Sequence, residues 1–233
     1  MSTHPSSTVT QANTLRVIAI DGPAGAGKSS VSERLAARLG FIRLDTGALY
    51  RAIALAATRA GVEAREGGAL DQLLAQLEIS FAQDDLLLNG QVERESLRHP
   101  EVSTQASNFA KLPSVRAKLF SLQRSIGQSA ACVVDGRDIG TVVFPDAPLK
   151  IYLTASVDER AHRRWVELQD RGVHADLDQL REEINARDLQ DSQREIAPLK
   201  RAEDAVLVDA TELRLEEVVE ACLALARDRF KEA

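Results

Sequence analysis

Five short apolar runs punctuate the chain, at 15–20, 41–44, 131–135, 149–153 and 205–209. Each is rich in β-branched or leucine residues and too short for a core helix, so each predicts a strand. Between the first two, Val31, Leu35 and Leu39 fall on one face of a helix predicted over 30–40. A second helix, capped by Asp45 or Thr46, is predicted through 52–60 with a stop at Gly61. A βαβα opening of this kind is the signature of a parallel sheet wrapped by helices.

The rhythm breaks over 62–100. A helix is predicted at 69–76 and strands at 77–82 and 86–88, with Asn89-Gly90 as a hairpin turn before Gln91-Val92. Helices return at 101–110 and 113–128, the latter with Pro113 in its first turn. Further helices are predicted over 156–171, with Ser156 as N-cap, over 176–193 beyond a break at Gly172, and over 215–230. Residues 1–14 are rich in Ser and Thr and lack a basic flank or apolar core, so they read as a disordered tail rather than a leader.

The first strand runs into Gly22-Pro23-Ala24-Gly25-Ala26-Gly27-Lys28-Ser29-Ser30, a P-loop pattern between a strand and a helix. Glycines let the loop curl so that backbone N–H groups face phosphate oxygens, and the helix N-terminus adds positive potential there. In such a loop Lys28 reaches the β- and γ-phosphates and Ser29 ligates Mg²⁺. Val133-Val134-Asp135 then reads as a strand that brings a second Mg²⁺ ligand, Asp135, beside the loop. Asp135-Gly136-Arg137-Asp138 adds an arginine suited to a phosphate and a carboxylate able to accept from an exocyclic amine; a local Arg137–Asp138 ion pair is the plainer reading. Arg51, six residues beyond Asp45, suits a second substrate's phosphate or, equally, a solvated helix face. Arg160, Arg163 and Arg164 share one helix face, as do Arg187, Asp191 and Arg194. Beside a P-loop, two such faces flanking Gly172 suggest a lid that excludes water and neutralises charge.

Composition narrows the partners. In a chain of 233 residues the net charge is −6, which disfavours a nucleic-acid coat or a polybasic membrane anchor. No apolar run reaches membrane length. Cys132 and Cys222 sit in apolar surroundings and read as buried thiols of a cytoplasmic protein. The four histidines have no metal-ligand spacing, and no Asn-Lys-x-Asp guanine motif is present.

Taken together, 20–28, Leu44 to Arg51, Asp135 to Ala147, Arg160 to Arg164 and the set Arg187, Asp188, Asp191, Arg194 closely resemble the bacterial cytidylate kinases, a nucleoside monophosphate kinase family. The likeness spans nearly everything after the tail. It implies an α/β P-loop kinase domain over 15–233: a five-stranded parallel sheet wrapped by helices, a helical lid at 156–195 and a small α+β insert at 62–103. It implies ATP as phosphoryl donor, Mg²⁺, and CMP or dCMP as acceptor, in a monomer that binds neither nucleic acid nor membrane. By the same likeness Ser107, Arg116 and Asp138 read the base, Arg187 and Asp191 hold the ribose, and Arg51, Arg137 and Arg194 surround the monophosphate. Asp45 stands near the acceptor phosphate and metal, and Arg163 over the ATP phosphates. The family often has Gly-Thr after the P-loop lysine; here Ser29-Ser30 leaves two hydroxyls as candidates for Mg²⁺. The alternatives are another small-molecule P-loop kinase, for AMP, UMP or a sugar acid, and a non-catalytic nucleotide sensor.

Overall fold

The computed structural model describes residues 15–82 and 85–230; the tail expected over 1–14 lies outside them. Five strands form one parallel sheet: β1 (Val17–Asp21), β2 (Ile42–Asp45), β6 (Cys132–Gly136), β7 (Leu149–Thr154) and β8 (Val206–Asp209). Their spatial order is β2-β6-β1-β7-β8. All five match runs expected from the sequence. The pattern is legible because a parallel sheet is covered on both faces, so its strands stay apolar without alternation. On β1, Val17 and Ala19 pack into one apolar layer and Ile18 and Ile20 into the other.

Eight helices surround this sheet and the insert among the described residues. They are α1 (Lys28–Leu39), α2 (Thr46–Ala60), α3 (Gly68–Gln76), α4 (Pro100–Phe109), α5 (Pro113–Ser129), α6 (Val157–Asp170), α7 (Leu177–Ser192) and α8 (Leu215–Phe230). One layer joins α2, α4 and α5 to β1, β2 and β6 through Leu49, Ile53, Phe109 and Leu119. The other packs α1 and α8 on β1 and β7 through Leu35, Val219, Cys222 and Leu223. The insert strands β3 (Ile79–Ala82), β4 (Asp85–Leu88) and β5 (Gln91–Val92) form a separate antiparallel sheet. Leu70, Leu74, Leu86 and Leu88 of this insert bury into the layer of α2, and Arg59 of α2 forms a forked ion pair with Glu93. α6 and α7 pair through a small cluster of their own, Ala161, Leu180 and Ile184 with Trp165.

Caps explain several ends. The Asp45 side chain accepts from the Ala48 N–H at 2.9 Å, so α2 starts directly after β2. Ser156 caps α6 by accepting from Glu159, and Asp176 caps α7 by accepting from Gln179. The apolar pattern offers no counterpart for the π-helical turn at Ile139–Val143. Its sequence is β-branched, yet Ile139, Val143 and the following Phe144 drop into the core. Phe144 seats its ring against Gly127 of α5, where a Cβ would lie 2.5 Å from ring carbons.

Candidate active site

Strand order sets the site. β1 has β6 on one side and β7 on the other, so the crevice opens outside their carboxyl ends at a topological switch point. Asp21 of β1 is in register with Gly136 of β6, and Asp45 of β2 with Asp135. The ends of β1, β2 and β6 therefore deliver the P-loop, Asp45 and Asp135-Gly136-Arg137-Asp138 to one edge.

The P-loop turns through left-handed glycines, Gly25 at φ 75° and Gly27 at φ 91°, and Gly27 leads into α1. Gly22, at φ 153°, lies so close to β7 that a Cβ would sit 1.9 Å from the Leu153 carbonyl oxygen. Lys28 is only 7% exposed, and its Nζ donates to the Pro23 carbonyl at 2.7 Å. Burial, then repulsion from Arg137, lowers its pKa well below the usual lysine range. A cleft of about 550 Å³ opens in front of it. Ala24, Gly25, Gly27, Lys28, Ser29 and Ser30 line the loop side, whereas Gly22, Pro23 and Ala26 stand behind and shape the curl.

Asp135 is buried, with Oδ1 accepting from Ser32 at 2.6 Å and Oδ2 from Ser29 at 3.3 Å. Burial and the neighbouring Asp45 push its pKa up. Burial also acts on Asp45, but Arg51, 3.0 Å away, and Arg43 outweigh it and hold that carboxyl below its usual range. Between the two acids, Arg43 lies 3.6 Å from each. Carboxylate and hydroxyl oxygens at a phosphate loop are the donors a hard divalent cation takes, and of the two candidate hydroxyls it is Ser29 that meets Asp135.

On the other wall, Arg137 Nε donates to Asp191 Oδ2 at 2.7 Å, and Arg194 to Oδ1 of the same carboxylate. These cations override the burial of Asp191 and keep its pKa low. Arg194 Nε is buried without a partner. Arg187 reaches the cleft, and burial together with Arg137, Arg51 and Arg194 lowers its pKa to about 10. Three guanidinium groups, Arg137, Arg187 and Arg194, thus gather around Asp191, an excess of positive charge that suits a polyanion. Asp138 is bonded to Arg116, whose other nitrogen donates to the Ala110 carbonyl at 3.2 Å. The Arg116 guanidinium also lies over the Tyr50 ring. Burial exceeds the effect of Arg116 and raises the Asp138 pKa. Ser107 of α4 lines the cleft beside them, whereas Arg116 reaches it only through Asp138.

Of the residues singled out in the sequence, the structure brings all but Gly22, Pro23, Ala26 and Arg116 to the wall of the cleft. The local Arg137–Asp138 pair is not formed: each finds a distant partner instead. The first arginine row divides its work. Arg163 lines the cleft and donates to Glu159 and to the Ala210 carbonyl at 2.6 Å. Arg160, 4% exposed, also reaches the cleft wall but directs its donors to the carbonyls of Ala155 and Ala24, both at 2.9 Å, and to Asp188. Four contributors carried no individual role in the sequence pattern: Arg160 as a clamp, Ser32, Arg43 and Asp188. Asp188 accepts from the Ala24 N–H. Its place beside Arg187 in a charged helix was the only local signal.

Known proteins bear on the same residues. The family model for cytidylate kinase matches residues 18–228. A cytidylate kinase from Syntrophotalea carbinolica is 46% identical over 217 residues, covering 91% of this chain and 92% of that protein. One from Pseudomonas paraeruginosa is 50% identical over 210 residues, covering 88% and 92%. Among solved structures, an uncharacterized protein from Eubacterium ventriosum aligns with TM-score 0.50 and 13% identity over 92% of this chain and 99% of its own, which speaks to the fold alone. With its P-loop, its acid-bearing strand ends and its arginine-lined cleft in one sequence matched almost end to end, the chain belongs to the cytidylate kinase family.

Proposed function

We propose that this protein transfers the γ-phosphoryl group of ATP to CMP and dCMP, giving ADP with CDP or dCDP, in the cytoplasm as part of pyrimidine nucleotide metabolism. The observation that carries this reading is a single cleft holding two kinds of anion site. One is the backbone cradle of the P-loop with Lys28; the other is the arginine set with the base-sized polar pair Asp138–Arg116. A hydrolase needs only the first.

The donor triphosphate lies along Gly25 to Ser30, with Lys28 released from the Pro23 carbonyl to reach its β- and γ-oxygens. The acceptor phosphate lies among Arg51, Arg137 and Arg194. Its attacking oxygen is already ionised near neutral pH, so no general base is required. That oxygen forms the new P–O bond as the bond to the β,γ-bridging oxygen breaks, and ADP leaves with the electron pair. The arginines and Lys28 offset repulsion between the two anions, and Arg163 closes over the donor side. Ser29 and Asp135 would hold a Mg²⁺ ion, which would supply charge neutralisation to the donor. Asp138, held in place by Arg116 behind it, accepts from the cytosine amino group while Ser107 donates to an acceptor of the base. Arg187 and Asp191 hold the ribose. A uracil at this site leaves the Asp138 carboxylate without a donor, which disfavours it.

The reading rests on family membership and on this cleft, and it assigns a monomer with no nucleic-acid or membrane partner. No helix among the described residues is long and apolar enough to cross a membrane. A panel of CMP, dCMP, UMP and AMP with Mg-ATP, followed by ADP release, tests it. Turnover of CMP and dCMP well above UMP and AMP is expected. Equal turnover of UMP or AMP sinks the base assignment, and ATP consumption without a monophosphate product sinks the kinase reading.

A further inference from the structure

Asp138 stands at the N-cap position of the π-helical turn Ile139–Val143, yet its side chain makes no capping bond. An aspartate at such a position by default folds back onto the first free N–H groups of its own turn. Those groups cannot stay bare in a core. Here they are taken by another strand: Asp21 Oδ1 accepts from the Ile139 N–H at 2.8 Å and Oδ2 from the Gly140 N–H at 2.7 Å. Asp21 is 4% exposed and lies outside the cleft. Its seat is tight, since a Cβ on Gly140 would lie 3.4 Å from Asp21 Oδ2 and 3.1 Å from Lys150 Cδ.

We propose that Asp21 is a positioning residue for nucleobase selection, capping the turn in place of Asp138 so that the Asp138 carboxylate is free to pair with Arg116 and read the base. Without Asp21, the vacated N–H of Gly140, the second residue of the turn, draws the Asp138 carboxylate back. Asp21 also ends the strand that opens the P-loop, so the base-reading turn and the phosphate loop hang from one side chain. The proposal rests on cytosine being the preferred base and adds a residue that touches no substrate.

Asp21→Asn keeps the shape but presents an NH₂ to one of the two N–H groups. Steady-state kinetics with CMP and UMP, at saturating and varied ATP, compare it with wild type, Asp138→Ala and the double variant. Asp21→Asn is expected to raise KM for CMP about tenfold and to lower the CMP-to-UMP ratio of kcat/KM by about tenfold, with KM for ATP changed less than twofold. The double variant is expected to discriminate no worse than Asp138→Ala alone, because both act through one carboxylate. An unchanged CMP-to-UMP ratio in a folded Asp21→Asn protein overturns the proposal, as does an equal rise in both KM values. If the variant does not fold, amide hydrogen exchange in the wild-type protein decides: Ile139 and Gly140 protected like the sheet amides support the cap, and exchange at free-loop rates overturns it. A wild-type enzyme indifferent to CMP and UMP would instead refute the substrate reading, leaving the exchange result to judge the cap.

Discussion

The backbone N–H of Ala24 donates to Asp188 Oδ1 at 3.1 Å, joining α7 directly to the P-loop. Oδ2 of the same carboxylate accepts from Arg160 at 2.5 Å, and Arg160 reaches on to the Ala24 carbonyl at 2.9 Å. Both polar groups of the Ala24 backbone are therefore held by this helix pair, by α6 through Arg160 and by α7 through Asp188. In the proposed kinase, α6 and α7 fastened in this way would serve to keep water from the donor side.

Removing the clasp should loosen the lid without emptying the site. For Asp188→Ala we expect kcat/KM for ATP to fall about tenfold, the loss of one charge-assisted contact. ATP hydrolysis without CMP should rise as a fraction of total turnover. ADP release measured with and without CMP checks both. Unchanged values for both would show that the clasp does not govern closure.

Lys28 is held for function against its own stability. It is buried, and burial and Arg137 both disfavour its charge. Lys28→Met should reduce kcat by a factor of about 10²–10³ or more, as for loss of one preorganised transition-state donor. Its melting temperature should equal or exceed that of wild type, because an uncomfortable charge is gone. A thermal melt beside a coupled ADP assay reads both, and a variant that both melts earlier and keeps its rate contradicts the assignment.

Asp138→Ala should act twice. It leaves the buried Arg116 without its ion-pair partner, at a cost of about 3 kcal/mol seen in urea denaturation. It also removes the acceptor for the cytosine amine, so the CMP-to-UMP ratio should fall by about tenfold. A stability loss with the ratio intact would make the residue structural only.

What was legible in the sequence divides along the range of the interactions. The five parallel strands announce themselves because burial on both faces leaves uninterrupted runs such as Val17–Asp21. The P-loop, the Asp45 and Ser156 caps and the Asn89-Gly90 turn are local devices, and local chemistry dictates them. The charged cleft was legible only as an inventory. Arg137 and Asp138 are neighbours that could have paired, but Arg137 goes 54 residues on to Asp191 and Asp138 goes 22 back to Arg116. Each arginine row has one period, yet Arg160 turns to the Ala24 carbonyl of the P-loop while Arg163 turns to the Ala210 carbonyl. The π-helical turn could not be read from Ile139–Val143 at all, because its cap is Asp21, 118 residues earlier.

Asp21 should also leave a mark on the pH dependence of stability. Burial raises its pKa from an ordinary 3.8 to about 6, with Asp138 pushing the same way and the two backbone N–H groups and Lys28 opposing. In the native state it holds its proton up to about pH 6, whereas the unfolded chain releases it near pH 4. Between those values the native state binds more protons, so the contribution of this group to stability falls as pH rises and levels off above about pH 6. Two units correspond to about 3 kcal/mol at most. Asp21→Asn lacks this titration. The stability of wild type relative to the variant should therefore decline by up to about 2 kcal/mol between about pH 4.5 and pH 7, the part of the titration inside that window, as followed by urea denaturation at several pH values. Parallel curves for the two proteins would mean that Asp21 is already ionised at the acid end and that its two N–H donors outweigh its burial.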